Sequence, residues 1–361
     1  MTGAAASLST ACGSPDPHAL SILTAVAARQ NRAAVALALE RNAAAPRRGE
    51  GGREALERWL ATDANWLVDW DPALGPFLAD PAGADVDDWI GLLIHLSLVD
   101  PTSTWSAGTA RRSCFRAGHR MVRGADALRW EDGELVASVE RSWRSCGDLP
   151  EGIWLSWREA SVDVIDPHCW SDVVGEARST GGPADERAHA LAAALQVLEI
   201  DEGFSRWVRD VLRIVVPLPS VKGATMSSSD VRHPSVVRMT VDDDPATTAE
   251  LLVHECAHIV LALAEREEPL VVGDDARLYY SPFRRTGRPL RSILLGYHAF
   301  ANVAGLYGSL ARRGFRPVAM TRRRDAVLEQ LAPLEAILDG AADLTDMARG
   351  IYRQARSQTL S

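Results

Sequence analysis

Three observations in the 361-residue chain predict an α+β protein that is predominantly helical. Ala-, Leu- and Arg-rich segments with helical apolar spacing occupy both ends. Residues 102–167 change to short alternating runs, and β-branched runs precede the last apolar helices. Residues 1–17 are small and polar and are expected to be disordered. Helix is predicted from His18 to about Ala61, broken at Ala45-Pro46 and near Gly49–Gly52, and again over Asp85–Leu98, where Trp89, Leu92, Leu93 and Leu96 recur. Ala127–Trp130 and Leu135–Val139 flank Glu131-Asp132-Gly133, a hairpin signal, and Trp154–Trp157 and Val162–Ile165 continue the strand texture.

After Gly181-Gly182-Pro183, helices are predicted to about Leu198 and over Gly203–Leu212. Strands follow at Ile214–Leu218 and Val236–Val241. Asp244 is placed to cap a helix whose first residue is Pro245. Three further helices are expected over Arg291–Arg312, Arg322–Leu338 and Leu344–Thr359. The predicted organisation is therefore residues 1–17 disordered, an N-terminal helical and hairpin-rich region over 18–180, and a C-terminal domain over 181–361.

Composition narrows the function. At 47% hydrophobic, 24% charged and mean hydropathy −0.08, the chain can build a full globular core. A net charge of −9 provides no overall basic field for nucleic acid. Lys222 is the only lysine, so the abundance of arginine reflects composition bias as well as function. The five cysteines contain no CxxC pair, and reduced thiols in a cytoplasmic protein are expected. No secretory or membrane segment is expected. The eleven tryptophans are expected to be mainly core residues.

The chemistry gathers in one helix. In Leu252-Val253-His254-Glu255-Cys256-Ala257-His258 the two histidines are four residues apart and share a helix face, so their imidazoles can occupy neighbouring positions on one metal ion. Two histidines do not complete a site. A metzincin continuation is excluded, since Leu261 and Ala264 stand where glycine and histidine would be required. Glu265, Glu267 and Glu268 fall near the helix end and are expected to be solvated. His298, inside the next apolar helix, is the expected third ligand. The metal site would then lie between these two helices with short strands alongside.

Several elements recur in a recognisable order. They are Val215-Val216-Pro217-Leu218, Ser227–Ser229, the His254–His258 motif, Tyr280-Ser281-Pro282-Phe283-Arg284, Arg288-Pro289-Leu290 and Gly296-Tyr297-His298-Ala299-Phe300. Over about residues 200–310 the chain resembles the HExxH-type peptide β-hydroxylases, which depend on iron(II) and 2-oxoglutarate and act on ribosomally made peptides. Phe283 departs from the tryptophan expected in that element, which bears on pocket shape. The resemblance implies His254, His258 and His298 as iron ligands, with 2-oxoglutarate and dioxygen in the remaining positions. It implies Arg284 or Arg288 as the anchor of the distal carboxylate, with Tyr280 and Ser281 as hydroxyl partners and Arg285 and Arg291 as rivals. Glu255 would orient water, substrate or a ligand without binding iron. The peptide is the expected partner; nucleic acid and membrane are not. The alternative is a zinc metallopeptidase in which Glu255 is the general base. The Ser227–Ser229 cluster reads first as a polar loop and second as a channel wall.

Overall fold

A computed structural model describes the chain except for residues 1–16, 42–50, 66–68, 110–113, 119, 124, 140–141, 146, 148–152, 158–159, 165–183, 219–223, 231–234, 274–275, 316–317 and 361. The disorder expected for the N-terminus and the break at Ala45-Pro46 lie outside the described residues. The architecture is α+β and mainly helical, with short antiparallel and mixed strands.

The N-terminal part begins with α1 (Pro17–Arg41) and α2 (Gly52–Ala61). A 3-10 turn at Pro72–Leu74, α3 (Gly75–Ala79) and α4 (Val86–Val99) follow. Asp85 caps α4 by accepting from the backbone of Asp87 and Asp88, while Asp88 accepts from the Asp85 backbone in return. That reciprocal box satisfies N–H groups that the first turn leaves orphaned. Next come β1 (Trp105–Gly108), β2 (Cys114–Ala117), β3 (Arg120–Arg123), β4 (Ala127–Glu131), β5 (Glu134–Val139) and β6 (Ser142–Ser145). The four-stranded sheet runs β1-β4-β5-β6, and among the described residues β2 pairs with β3 as a separate ribbon. The predicted β4–β5 hairpin pairs Glu131 with Glu134 across two residues. Asp132 and Gly133 both take positive φ, at 52° and 78°, which a tight two-residue turn between twisted strands demands.

Strands β7 (Ile153–Trp157) and β8 (Ala160–Val164) precede α5 (Ala184–Glu199), α6 (Glu202–Val211) and β9 (Ile214–Leu218). The polar loop expected at Ser227–Ser229 is instead strand β10 (Ser227–Ser229), antiparallel to β11 (Val236–Thr240). The sheet order β10-β11-β9-β8-β7 makes β10 an edge strand. Because β8 pairs parallel to β9, this sheet crosses the boundary expected at residue 180. Helix α1 also spans both parts: Leu23 and Ala27 join the C-terminal core, whereas Val35, Ala38 and Leu39 join the N-terminal one. Six of the tryptophans, Trp59, Trp70, Trp89, Trp105, Trp130 and Trp207, are buried as expected.

At the centre lies α7 (Pro245–Glu267), followed by the hairpin β12 (Leu278–Ser281) and β13 (Thr286–Pro289). Then come α8 (Leu290–Arg312), α9 (Val318–Asp339) and α10 (Asp346–Leu360). Asp244 caps α7 through the Ala246 N–H, with Pro245 in its first turn, as the sequence predicts. Leu252, Val253, Ile259, Val260, Leu261 and Leu263 of α7 are buried, each contributing about 1.5–3 kcal/mol relative to exposure. Among the described helices, α7 alone is long and apolar enough to cross a membrane; most of it is enclosed by the protein core. On α8, Gly305 lets α10 approach closely, since a Cβ there would sit 3.1 Å from Gln358 Cβ.

Candidate metal and anion site

His254 and His258 project from one face of α7, as the four-residue spacing predicts. Their Nε2 atoms are 3.1 Å apart and their rings meet edge to face, with centroids 4.6 Å apart. Two nitrogens bound to one ion at about 2.1 Å are separated by roughly 3.0–3.4 Å, from octahedral to tetrahedral angles, so the pair fits a shared ion. The same separation also suits a hydrogen bond between neutral tautomers. Burial holds the pKa of His254 well below the ordinary value, aided by His258 and Arg284. Burial, then Arg284 and Arg291, pushes His258 down to about 4. Both imidazoles are therefore neutral at physiological pH, which is the form that ligates metal.

The pair opens into a cavity of about 360 Å³. From α7 it is lined by His254, His258, Ile259 and Ala262, and from α8 by Arg291, Ser292, Leu295, Gly296 and Phe300. The β12–β13 hairpin adds Ser281, Phe283, Arg284 and Arg288, and the end of β10 adds Ser229 and Asp230. The volume lies in the range of small-molecule sites, with a few polar groups against apolar walls. Phe283 stacks on Phe300 with centroids 3.8 Å apart and planes within 7°. Phe300 in turn meets His254 edge-on at 4.6 Å. The residue that departs from the expected tryptophan thus forms part of the cavity wall.

The hairpin turn sets the arginines. The Arg285 N–H donates to the Ser281 carbonyl at 2.7 Å, and Arg285 takes a left-handed φ of 53°. This tight turn carries Phe283 and Arg284 over the cavity. Arg284 and Arg288 are exposed at its mouth, and neither has an ion pair or hydrogen bond to another described residue. Arg291 instead forms a short two-point contact with Glu265, tying α8 to α7. Glu265, expected to be solvated, is thereby partly buried. Ser281 is buried in the wall; Tyr280, 61% exposed, and Arg285 are not among the lining residues.

Glu255 lies on a different face of α7, 3% exposed. Its Oε1 accepts from Ser227 Oγ and its Oε2 from Ser229 Oγ, both at 2.6 Å. Burial raises its pKa, opposed by these two hydroxyls and by the nearby charges of Arg284 and Arg238. The arrangement clamps edge strand β10 to the motif helix. One turn earlier on α7, buried Glu250 accepts from Tyr307 Oη of α8 at 2.5 Å and from Arg323 Nη2 of α9 at 2.6 Å. That network fixes the three helices around the histidines. The buried thiol of Cys256 is pushed up in pKa by burial and by Glu255, so it is an inert core group.

The expected third ligand is placed differently from the pair. His298 is fully buried on α8, within electrostatic reach of His254. It is not among the lining residues; position 298 lies about 200° round the helix from 296 and 300, but within about 20° and 60° of the lining residues Arg291 and Leu295. Among the described residues, no group of three or more His, Cys, Asp or Glu side chains is close enough to hold a metal ion. The structure thus gathers His254, His258, Ser281, Arg284 and Arg288, and does not bring His298, Tyr280 or the Glu255 carboxylate to the same cavity. Sequence reasoning missed the Glu255–serine clamp and the α8 face Ser292, Leu295, Gly296. The spacing of that face is legible; which face turns toward α7 is not.

Comparison of the sequence with protein-family models and with curated proteins finds no match.

Proposed function

We propose that the protein is an iron(II)- and 2-oxoglutarate-dependent oxygenase that hydroxylates a side-chain β-carbon of a ribosomally made peptide. The observation that carries the reading is the pairing of two neutral imidazoles, 3.1 Å apart, with two exposed guanidinium groups that form no direct ion pair among the described residues, all lining one cavity. A carboxylate-bearing cosubstrate needs both kinds of group together: imidazole to hold the ion and a planar guanidinium to receive a carboxylate at two points. The resemblance of residues 200–310 to the HExxH-type peptide β-hydroxylases supports the same assignment.

In this reading His254 and His258 would hold iron, and His298, buried on α8 within electrostatic reach of His254, is the proposed third ligand. When bound there, iron(II) would supply the chemistry by which dioxygen and 2-oxoglutarate become succinate, carbon dioxide and one hydroxyl on the substrate side chain. Arg284 or Arg288 anchors the distal carboxylate, and buried Ser281 offers a hydroxyl nearby. Phe283 and Phe300 form a dry wall that keeps bulk water from the reacting carbon. Glu255 acts by position, holding β10 and Ser229 at the cavity rim. We place the protein in the cytoplasm.

The zinc-peptidase alternative needs the Glu255 carboxylate to face a metal-bound water. Both carboxylate oxygens are instead engaged by serine hydroxyls, which weighs against it. Anaerobic addition of iron(II) and 2-oxoglutarate tests the proposal: a weak visible charge-transfer band is expected. Tight zinc content with peptide cleavage and no such band would overturn it. Co-expression with a precursor peptide encoded nearby should add one oxygen to that peptide by mass spectrometry.

A further inference from the structure

Net charge of the whole chain misrepresents the site. Between Ala276 and Arg324 there are eleven arginines and no Asp or Glu, in a chain whose formal charge is −9. The fold gathers the first part of that stretch at the cavity. Arg277, Arg284, Arg285 and Arg288 are all exposed on or beside the β12–β13 hairpin, and no described carboxylate pairs with any of them. The lining residues contain a single carboxylate, Asp230. Arg284 and Arg288 line the cavity and are accounted for by a small anionic cosubstrate. Arg277 and Arg285 lie outside the lining, beyond reach of such a cosubstrate; Arg277 stacks over the Tyr279 ring at 4.9 Å, which holds its guanidinium on the hairpin surface. Beside them, Leu278 and Tyr280, two residues apart on one face of β12, are 60% and 61% exposed.

We infer that the substrate is an acidic peptide, docked along the β12–β13 hairpin by Arg277 and Arg285 with its apolar side chains on Leu278 and Tyr280. This inference rests on the peptide-hydroxylase reading for the class of substrate. Guanidinium forks match carboxylates at two points, and exposed charges of one sign steer a partner of the opposite sign toward the cavity. A peptide is favoured over nucleic acid because the acidic remainder of the chain repels a long polyanion, whereas a short acidic segment need only meet the hairpin.

The test measures binding, by fluorescence anisotropy, of the full chain to a short labelled peptide of Glu, Ser and Gly. Counterparts with Gln or Lys in place of Glu, and a single-stranded RNA of similar length, complete the set. The Glu peptide should bind at least about tenfold more tightly than the Gln peptide, with an affinity that falls as salt rises. Arg277→Gln combined with Arg285→Asn should abolish that preference while leaving the visible band with iron(II) and 2-oxoglutarate intact. Asparagine is chosen because it tolerates the left-handed φ at position 285. Equal binding of the Gln or Lys peptide, full affinity in the double variant, or tighter binding of RNA would each overturn the inference. Failure of the oxygenase reading is separately visible, as loss of the band while the acidic peptide still binds.

Discussion

Replacing Glu255 by glutamine separates a positioning role from a general-base role, because the two make opposite demands on the same side chain. The carboxylate is buried and accepts two serine hydroxyls at 2.6 Å. Hydrogen bonds to a charged acceptor contribute about 1.5–3 kcal/mol each, and desolvation of the carboxylate offsets part of that sum. Glu255→Ala is therefore expected to lose about 1–3 kcal/mol in urea unfolding, as strand β10 comes loose from α7. Glu255→Gln removes the buried charge, keeps one acceptor and adds a donor to which a serine oxygen can turn. Its stability should stay within about 1 kcal/mol of the parent. Succinate formation should then fall by no more than about tenfold, since the metal ligands are untouched. A general base would behave differently, with turnover dropping by about 10²–10⁴. A Gln variant that folds, retains its metal and loses activity on that larger scale would refute the clamp.

His254→Ala and His258→Ala should each abolish metal retention, as measured by elemental analysis after desalting. His298→Ala should do the same with folding intact if His298 completes the ligand set; full metal content in that variant would remove it. For the cosubstrate, Arg284→Met and Arg288→Met should be compared by 2-oxoglutarate KM, with a rise of about tenfold or more expected for whichever arginine anchors the carboxylate. The pH response of the metal-free protein follows from His258, whose pKa falls from 6.5 to about 4 on folding. A lowered histidine pKa means that the unfolded chain takes up protons that the folded one refuses, so stability should drop as pH falls from about 6.5 toward 4. Bound metal should shift that loss to lower pH. Away from the cavity, Arg116 joins Asp71 and Asp163 at 3.0 and 2.6 Å, and Arg116→Met should cost about 2–4 kcal/mol by removing the cation shared by two buried carboxylates. Although burial raises the Asp71 pKa, His95, Arg116 and the Ala73 N–H outweigh it and hold the pKa low. Its contribution is therefore present above the usual carboxylate range and is lost as pH falls through the lowered value.

Local chemistry was legible in the sequence where it is decided within one turn or one helix. Asp244-Pro245 starts α7 because a short acceptor and a fixed φ suit a helix N-terminus wherever they occur. The Asp132-Gly133 turn closes β4 on β5 because both residues tolerate positive φ. The His254–His258 pair shares a face because an α-helix returns every 3.6 residues. Tertiary structure alone decided the rest. Ser227–Ser229 reads as a loop until β11 supplies its ladder partner and Glu255 its side-chain partner. The sequence leaves Arg284, Arg285, Arg288 and Arg291 as rivals until the fold places Arg284 and Arg288 in the cavity lining, leaves Arg285 outside it and ties Arg291 to Glu265. The spacing of α8 shows that 292, 296 and 300 share a face, but only packing against α7 turns that face into the cavity wall. The physical reason is the same in each case. Spacing along the chain fixes which residues share a face, but the direction that face points is set by packing between elements far apart in sequence, where no local pattern carries the information.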